Sequence, residues 1–297
     1  MDLQRRNFPY ALALAVAVAT PAFGQNQSAG SIPDLSGVWT HANPGFEPLA
    51  SGPTSLINRS RRPNGTGDGL KLEGDYTNPI LKPEAAKIVR EHGQRALGMG
   101  DPNPHNQCWL EGPPFTFTNA PTQILQTPDK VVILYQDNSQ VRHVRMNAQH
   151  PAQVTPTWYG DSVGHYEGDT LVIDTVGIKV GKYSMVDWYG TPHSEALHVV
   201  ERYRMLDYDA AKEAFERDAK EHTVPSGKPV ANPKGKYLQL RFTVEDPNVF
   251  TTPWTATMTF RYGGNGPLDW DEQACGENIL WYPGKEADLP RANKPDF

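Results

Sequence analysis

The sequence predicts an all-β fold built on an antiparallel sheet, and three observations predict it. Short runs of β-branched and aromatic residues, each bounded by turn residues, follow one another from Thr122 to Arg261. Two of these runs alternate strictly: Leu238, Leu240, Phe242 and Val244 oppose Gln239, Arg241, Thr243 and Glu245, while Trp254, Ala256, Met258 and Phe260 oppose Thr255, Thr257, Thr259 and Arg261. A period of two with one apolar face is the pattern of a sheet that is dry on one side. The 26 glycines and 27 prolines among 297 residues supply the turns and long ordered loops that such a sheet needs. Hydrophobic residues make up 38% of the chain, enough for one sizeable core, which excludes intrinsic disorder. A net charge of −6 and a pI near 5.8 argue against a nucleic-acid partner.

The first 24 residues read as an address. Arg5-Arg6-Asn7-Phe8 precedes an apolar run from Tyr10 to Ala19, and Ala22-Phe23-Gly24 offers small residues for cleavage near Gly24. The paired arginines resemble a twin-arginine signal, which implies export of a folded chain to the periplasm or beyond. No later apolar stretch approaches the roughly 18 residues of a membrane helix, so the expectation is a soluble protein with no membrane insertion. Cys108 and Cys275 are the two cysteines. In an oxidising compartment they are expected to form a disulfide.

Residues 25–107 form a loop-rich N-terminal segment with one strand in Asp34–Thr40 and one helix, which starts at Pro83 and ends near Ala96 before Gly98 and Gly100. Residues 108–297 carry the rest of a single β domain. Strands are predicted at 122–127, 130–136, 140–146, 155–166, 170–176, 196–206, 237–245 and 254–261. Glu167-Gly168-Asp169 marks a tight hairpin. The charged stretch within 207–235 is an insertion with a short helix capped by Asp209, and it reads as a solvated surface helix.

Strands so spaced make a sandwich or an up-and-down barrel. Gly37-Val38-Trp39 favours the barrel, because a Gly-x-Trp on the first strand resembles the lipocalin and calycin folds, where the Trp plugs one end. The wider set DLSGVW, QTPDKVVILYQ, VRHVRMNAQHP, GDSVGHYEGDTLVIDTVG, PHSEALHVVERYR, VEDPNVFTTPWT and EQACGEN resembles a large, mostly uncharacterised family of secreted bacterial proteins. The resemblance covers most of residues 34–278 and implies an antiparallel lipocalin/calycin-like β-barrel with one or two short helices. It carries no established activity, and it does not extend to the insertion.

Candidate chemistry is read from the polar residues. The nine histidines contain no HxH or HxxxH pair, and His193 and His198, an odd number apart, would face opposite sides of a regular strand. No metal site is therefore expected. Ser162 is placed within a strand and is set aside as a nucleophile. Alternation through 193–204 puts His193, Glu195, Leu197, Val199, Glu201 and Tyr203 on one face, with Arg202 and Arg204 on the other. The first face is expected to point inward, which buries Glu195 and Glu201 beside His193. Buried carboxylates call for partners or raised pKa values. Either these residues form an acid/base set, or Glu201 is an internal ion pair with Arg142 that holds the barrel shut. Asp174, among β-branched residues, joins the candidate catalytic group. Arg142, His150, Trp158, Tyr166 and Tyr203 are candidates for lining a pocket for a flat apolar or aromatic molecule.

Two functions fit. One is a cofactor-independent enzyme of lyase, isomerase or hydrolase type, acting by acid/base chemistry on an apolar or aromatic small molecule. The other is a lipocalin-like carrier of a hydrophobic ligand. Cofactors are expected to be none, since no phosphate loop or electron-carrier motif occurs.

Overall fold

A computed structural model describes residues 32–41, 45–95, 97–118, 121–221 and 231–264. The proposed signal segment and Cys275 lie outside the described residues. The ten strands are β1 (Gly37–Thr40), β2 (Glu47–Pro48), β3 (Thr122–Thr127), β4 (Lys130–Tyr135), β5 (Gln140–Met146), β6 (Asp161–Glu167), β7 (Thr170–Val176), β8 (His198–Leu206), β9 (Tyr237–Glu245) and β10 (Trp254–Gly264). Among the described residues the two α-helices are α1 (Pro83–Arg95) and α2 (Tyr208–Glu221). Sheet order runs β1-β3-β4-β5-β6-β7-β8-β9-β10, and β1 also pairs with β10, so nine strands close into a barrel. Short β2 pairs with β10 outside this ring.

All neighbours in the ring are antiparallel except β5 and β6, which run parallel and share only the pairs Arg145 with Val163 and Met146 with Gly164. A parallel step cannot be closed by a hairpin, because the chain must first return to the starting end. Residues 147–160 make that return. The predicted strand over 155–166 therefore splits, and only Asp161 onward joins the sheet. The connections at 136–139 and 177–197 therefore lie at one end of the barrel, opposite the 128–129 and 168–169 hairpins, and the 147–160 return runs from the hairpin end to join them near Thr157.

Inward residues fill the barrel. Val131, Ile133 and Tyr135 on β4, Leu171, Ile173 and Thr175 on β7, and Leu238, Leu240, Phe242 and Val244 on β9 are almost wholly buried. Trp39 lies in this core as the Gly-x-Trp pattern predicted, and its Nε1 donates to the Leu35 carbonyl at 2.9 Å. Trp254 packs edge-on to Phe242 and Phe250. A 3-10 turn, Phe115–Thr118, is also buried, with Phe117 stacked edge-on to Phe242.

Helix α2 is capped by Asp207, whose Oδ1 accepts the Ala210 N–H at 2.8 Å. The expected cap, Asp209, is the second helical residue, because strand β8 ends one residue before Asp207 and leaves it in the non-helical position that a cap requires. Nor is the helix simply solvated. Ala211, Ala214 and Phe215 are buried, and Phe215 meets Tyr237 edge-on at 5.8 Å.

Candidate functional site

The residues predicted to work together separate into three places. Only Leu197, Val199, Glu201 and Tyr203 keep the inward alternation. The chain before Leu197 is a turn, so the strand parity does not reach back to His193. Glu195 is exposed in that turn, which overturns its expected burial beside Glu201. His193 is half-buried, 3.2 Å from the Ser194 carbonyl, and burial lowers its pKa.

The first place is the lumen. Arg142, on β5, donates to Glu201 Oε2 at 2.9 Å and Oε1 at 2.5 Å, to Thr175 Oγ1 at 2.5 Å and to Ser162 Oγ at 3.1 Å. Tyr203 donates its phenol to Glu201 Oε2 at 2.9 Å. Arg142 and Glu201 are 1% and 0% exposed. Burial alone would lower the Arg142 pKa, but the Glu201 carboxylate outweighs it and the guanidinium is held charged. This is the internal ion pair, and both side chains are shielded from solvent. Gly160-Asp161-Ser162-Val163-Gly164 has the G-x-S-x-G spacing, but it enters β6 rather than a helix, and Ser162 is buried against Arg142. The apolar cavity among Trp39, Phe117, Ile124, Tyr135, Tyr203 and Phe260 measures about 10 Å³, the room of one water molecule. Tyr166 points into the same barrel near the hairpin end, where its phenol oxygen accepts from Gln126 Nε2 at 2.8 Å.

The second place is the outer face. Asp174 pairs with Val163 and Val200 across the sheet and faces away from the lumen, contrary to the expectation that it joins Glu201. The return segment 147–160 lays His150 over this face. Its Nδ1 lies 2.7 Å from Asp161 Oδ2 and its Nε2 lies 3.2 Å from Asp174 Oδ1. His198 Nε2 meets the same Asp174 oxygen at 2.8 Å, and Arg145 clasps Asp161 at 2.7 and 2.8 Å. Hydrogen bonding from His198 holds the Asp174 carboxyl low, and Asp174 in turn raises His198. Among the described residues no group of three His, Cys, Asp or Glu side chains is placed to hold a metal ion.

The third place was missed by the sequence reading, and it lies at the barrel end where the return segment and the 136–139 turn meet. Glu111, fully buried, faces His105 Nδ1 at 3.3 Å, and Asp137 Oδ2 stands 3.9 Å from the same nitrogen. Neither Glu111 carboxyl oxygen has a hydrogen-bond donor in good geometry among the described residues. Burial pushes the Glu111 and Asp137 carboxyls up, while the contact with Glu111 raises His105. The His105 side chain is 40% exposed, so the group reaches solvent. Gln140, at the start of β5, fixes the arrangement: its Oε1 accepts both the Glu111 N–H at 2.9 Å and the Tyr159 hydroxyl at 2.8 Å. Trp158, predicted for a strand, sits in the turn before Tyr159 and meets Trp109 edge-on at 5.1 Å. No periodicity announces this group, because His105, Glu111, Asp137 and Tyr159 come from three separate connections. Its one sequence signal is a carboxylate, Glu111, set between Trp109 and Pro113-Pro114.

No helix among the described residues is long and apolar enough to cross a membrane. Comparison with family models, with curated proteins and with solved structures returns no match for this chain.

Proposed function

We propose that the protein is a cofactor-independent acid/base enzyme acting on a small apolar or aromatic molecule at the barrel end, through His105, Glu111 and Asp137. The observation that carries the reading is a fully buried carboxylate, Glu111, with a raised pKa and no hydrogen-bond donor in good geometry, facing a solvent-accessible imidazole at 3.3 Å. Such a carboxylate orients the ring and stabilises the imidazolium that forms when the ring takes a proton. Asp137, held more protonated than a surface Asp by burial, is the group that returns a proton. A proton removed at one atom and returned at another is an isomerisation, and one returned to a leaving group is an elimination or hydrolysis.

The carrier reading is less well supported, since among the described residues the apolar lumen cavity beside Trp39 and Phe117 has room for about one water molecule. Export and a Cys108–Cys275 bridge belong to the same proposal. They rest on Arg5-Arg6, the apolar run after them and the presence of two cysteines. The family resemblance supports an exported barrel without adding a reaction.

The test is turnover. Purified protein lacking residues 1–24 is incubated with a library of aromatic, terpenoid and polyketide compounds and followed by mass spectrometry. Glu111→Gln is expected to lower turnover of any compound converted by about a hundredfold or more. A Glu111→Gln protein that folds normally and turns over at the full rate refutes the proposed roles.

A further inference from the structure

The barrel end carries a second feature that the acid/base chemistry does not use. Trp109, Trp158 and Tyr183 stand edge to face in a row, with ring centroids 5.1 and 5.6 Å apart. All three are only partly buried, and none belongs to the barrel core. The main chain at Gly181 lies against both indoles: a Cβ there would come within 2.7 Å of Trp109 and of Trp158, so a glycine is needed to keep the rings together. Two exposed lysines lean over the row. Lys179 Nζ is 4.9 Å from the Trp158 centroid, and Lys182 Nζ is 4.9 Å from the Tyr183 centroid. Neither ammonium has a carboxylate partner among the described residues, on a chain whose net charge is −6.

This row borders the proposed reaction site. Trp109 is two residues before Glu111, and Trp158 directly precedes Tyr159, whose hydroxyl shares Gln140 Oε1 with the Glu111 N–H. The glycine after Glu111, Gly112, packs against the Trp158 carbonyl. Lys179, Lys182 and Tyr183 belong to the connection at 177–197, which closes the same end.

We propose that the row binds a planar aromatic anion, an aryl carboxylate or phenolate, and that this is the substrate class of the neighbouring acid/base site. The inference rests on the reading of that site given above. Three partly exposed rings select a flat apolar body by stacking. Two ammonium groups without carboxylate partners select negative charge and repel a cationic ring such as an aryl amine salt. A neutral sugar, which also stacks on indoles, would want neutral hydrogen-bonding side chains at the rim, where this row presents ammonium groups.

The experiment is tryptophan fluorescence quenching by 2-naphthoate, with neutral 2-naphthamide and a cello-oligosaccharide as comparison ligands. Saturable quenching by naphthoate is expected, weaker by about tenfold for naphthamide and absent for the sugar, and naphthoate affinity should fall with added salt. Lys179→Gln with Lys182→Gln, two exposed positions where folding is not at risk, should weaken naphthoate by about tenfold and leave naphthamide unchanged. Trp158→Phe should weaken both. Naphthamide or sugar bound as tightly as naphthoate, an indifferent double-lysine variant, or no saturable quenching each overturns the proposal. The two readings fail separately. Normal naphthoate binding by Glu111→Gln with undiminished turnover removes the acid/base roles and leaves this site standing. Turnover of a neutral compound that Glu111→Gln abolishes, without naphthoate binding, does the reverse.

Discussion

Arg142 and Glu201 join β5 to β8 by two parallel hydrogen bonds across the barrel interior, beside the shortest backbone pairing in the ring. Strands β5 and β6 share only two residue pairs, and Arg142 reaches past that short joint to Ser162 on β6, Thr175 on β7 and Glu201 on β8. With the outer Arg145–Asp161 pair, the guanidinium adds side-chain ties across the β5–β6 joint, where the ladder is shortest.

Removing half of that pair should therefore cost stability rather than chemistry. Glu201→Gln leaves a buried guanidinium without its counter-charge and is expected to destabilise by about 3 kcal/mol or more. Replacing both members with apolar residues, Arg142→Met with Glu201→Leu, should recover much of the loss, since a packed apolar pair avoids burying charge. Thermal melting of the three proteins checks this. An unchanged melting temperature for Glu201→Gln with lost turnover would instead make Glu201 a reacting group.

How far this was legible in the sequence depends on regularity. The sequences of β9 and β10 alternate strictly, so their inward faces are readable, and the outward Arg202 and Arg204 correctly turn Glu201 inward. The same parity fails six residues earlier, at Glu195, because the turn at Glu195-Ala196 breaks the strand and no longer alternates side chains. Asp174 fails for another reason: Val172 and Ile173 are buried on opposite faces of β7, so composition does not say which face is the lumen. The His105, Glu111 and Asp137 group was invisible because proximity there is made by loops, whose paths follow from the parallel β5–β6 step and not from any local pattern.

On the outer face, Asp174→Asn removes the main partner of His198. The ring is held above its ordinary pKa of 6.5 by the hydrogen bond to Asp174, so the variant should bring it down, as followed by NMR titration of the ring protons. The folded-state benefit to His198 is fully present below 6.5 and fades as pH rises through the raised value. That to Asp174 is present above 3.8 and fades as pH falls through its lowered value. Both are therefore in place together between about pH 4 and 6.5. A His198 titration unmoved in Asp174→Asn would show that the contact is not made in solution.

For the proposed reaction, the acid limb of the pH–rate profile should lie above 6.5, because His105 must lose its proton to act as a base and Glu111 raises its pKa. In Glu111→Gln the residual activity should show an acid limb at lower pH than in the native protein. A limb that stays in place assigns the titration to a group other than His105.

The last expectation concerns α2 and Glu47, whose side chain is 3% exposed on β2. Its Oε1 accepts the Thr259 N–H at 2.6 Å, and its Oε2 takes the Thr257 and Thr259 hydroxyls at 3.1 Å. Burial, with the charge of Asp218 on α2 adding to it, raises the Glu47 pKa from 4.5 to about 7. For a carboxyl raised on folding, the benefit of the neutral form is complete below pH 4.5 and is lost as pH climbs through 7. Above that, the ionised pair of states costs about 3 kcal/mol relative to the neutral one. Glu47→Gln keeps an oxygen for the Thr259 N–H and gains an amide that can donate to the threonine hydroxyls, while it never ionises. Chemical denaturation from pH 4.5 to 8.5 should show native stability falling across this window and the Glu47→Gln curve nearly flat, with the variant the more stable protein at pH 8. If the native curve is flat too, Glu47 is not held neutral by burial. If the native curve falls and the variant falls in parallel, the titrating group lies elsewhere.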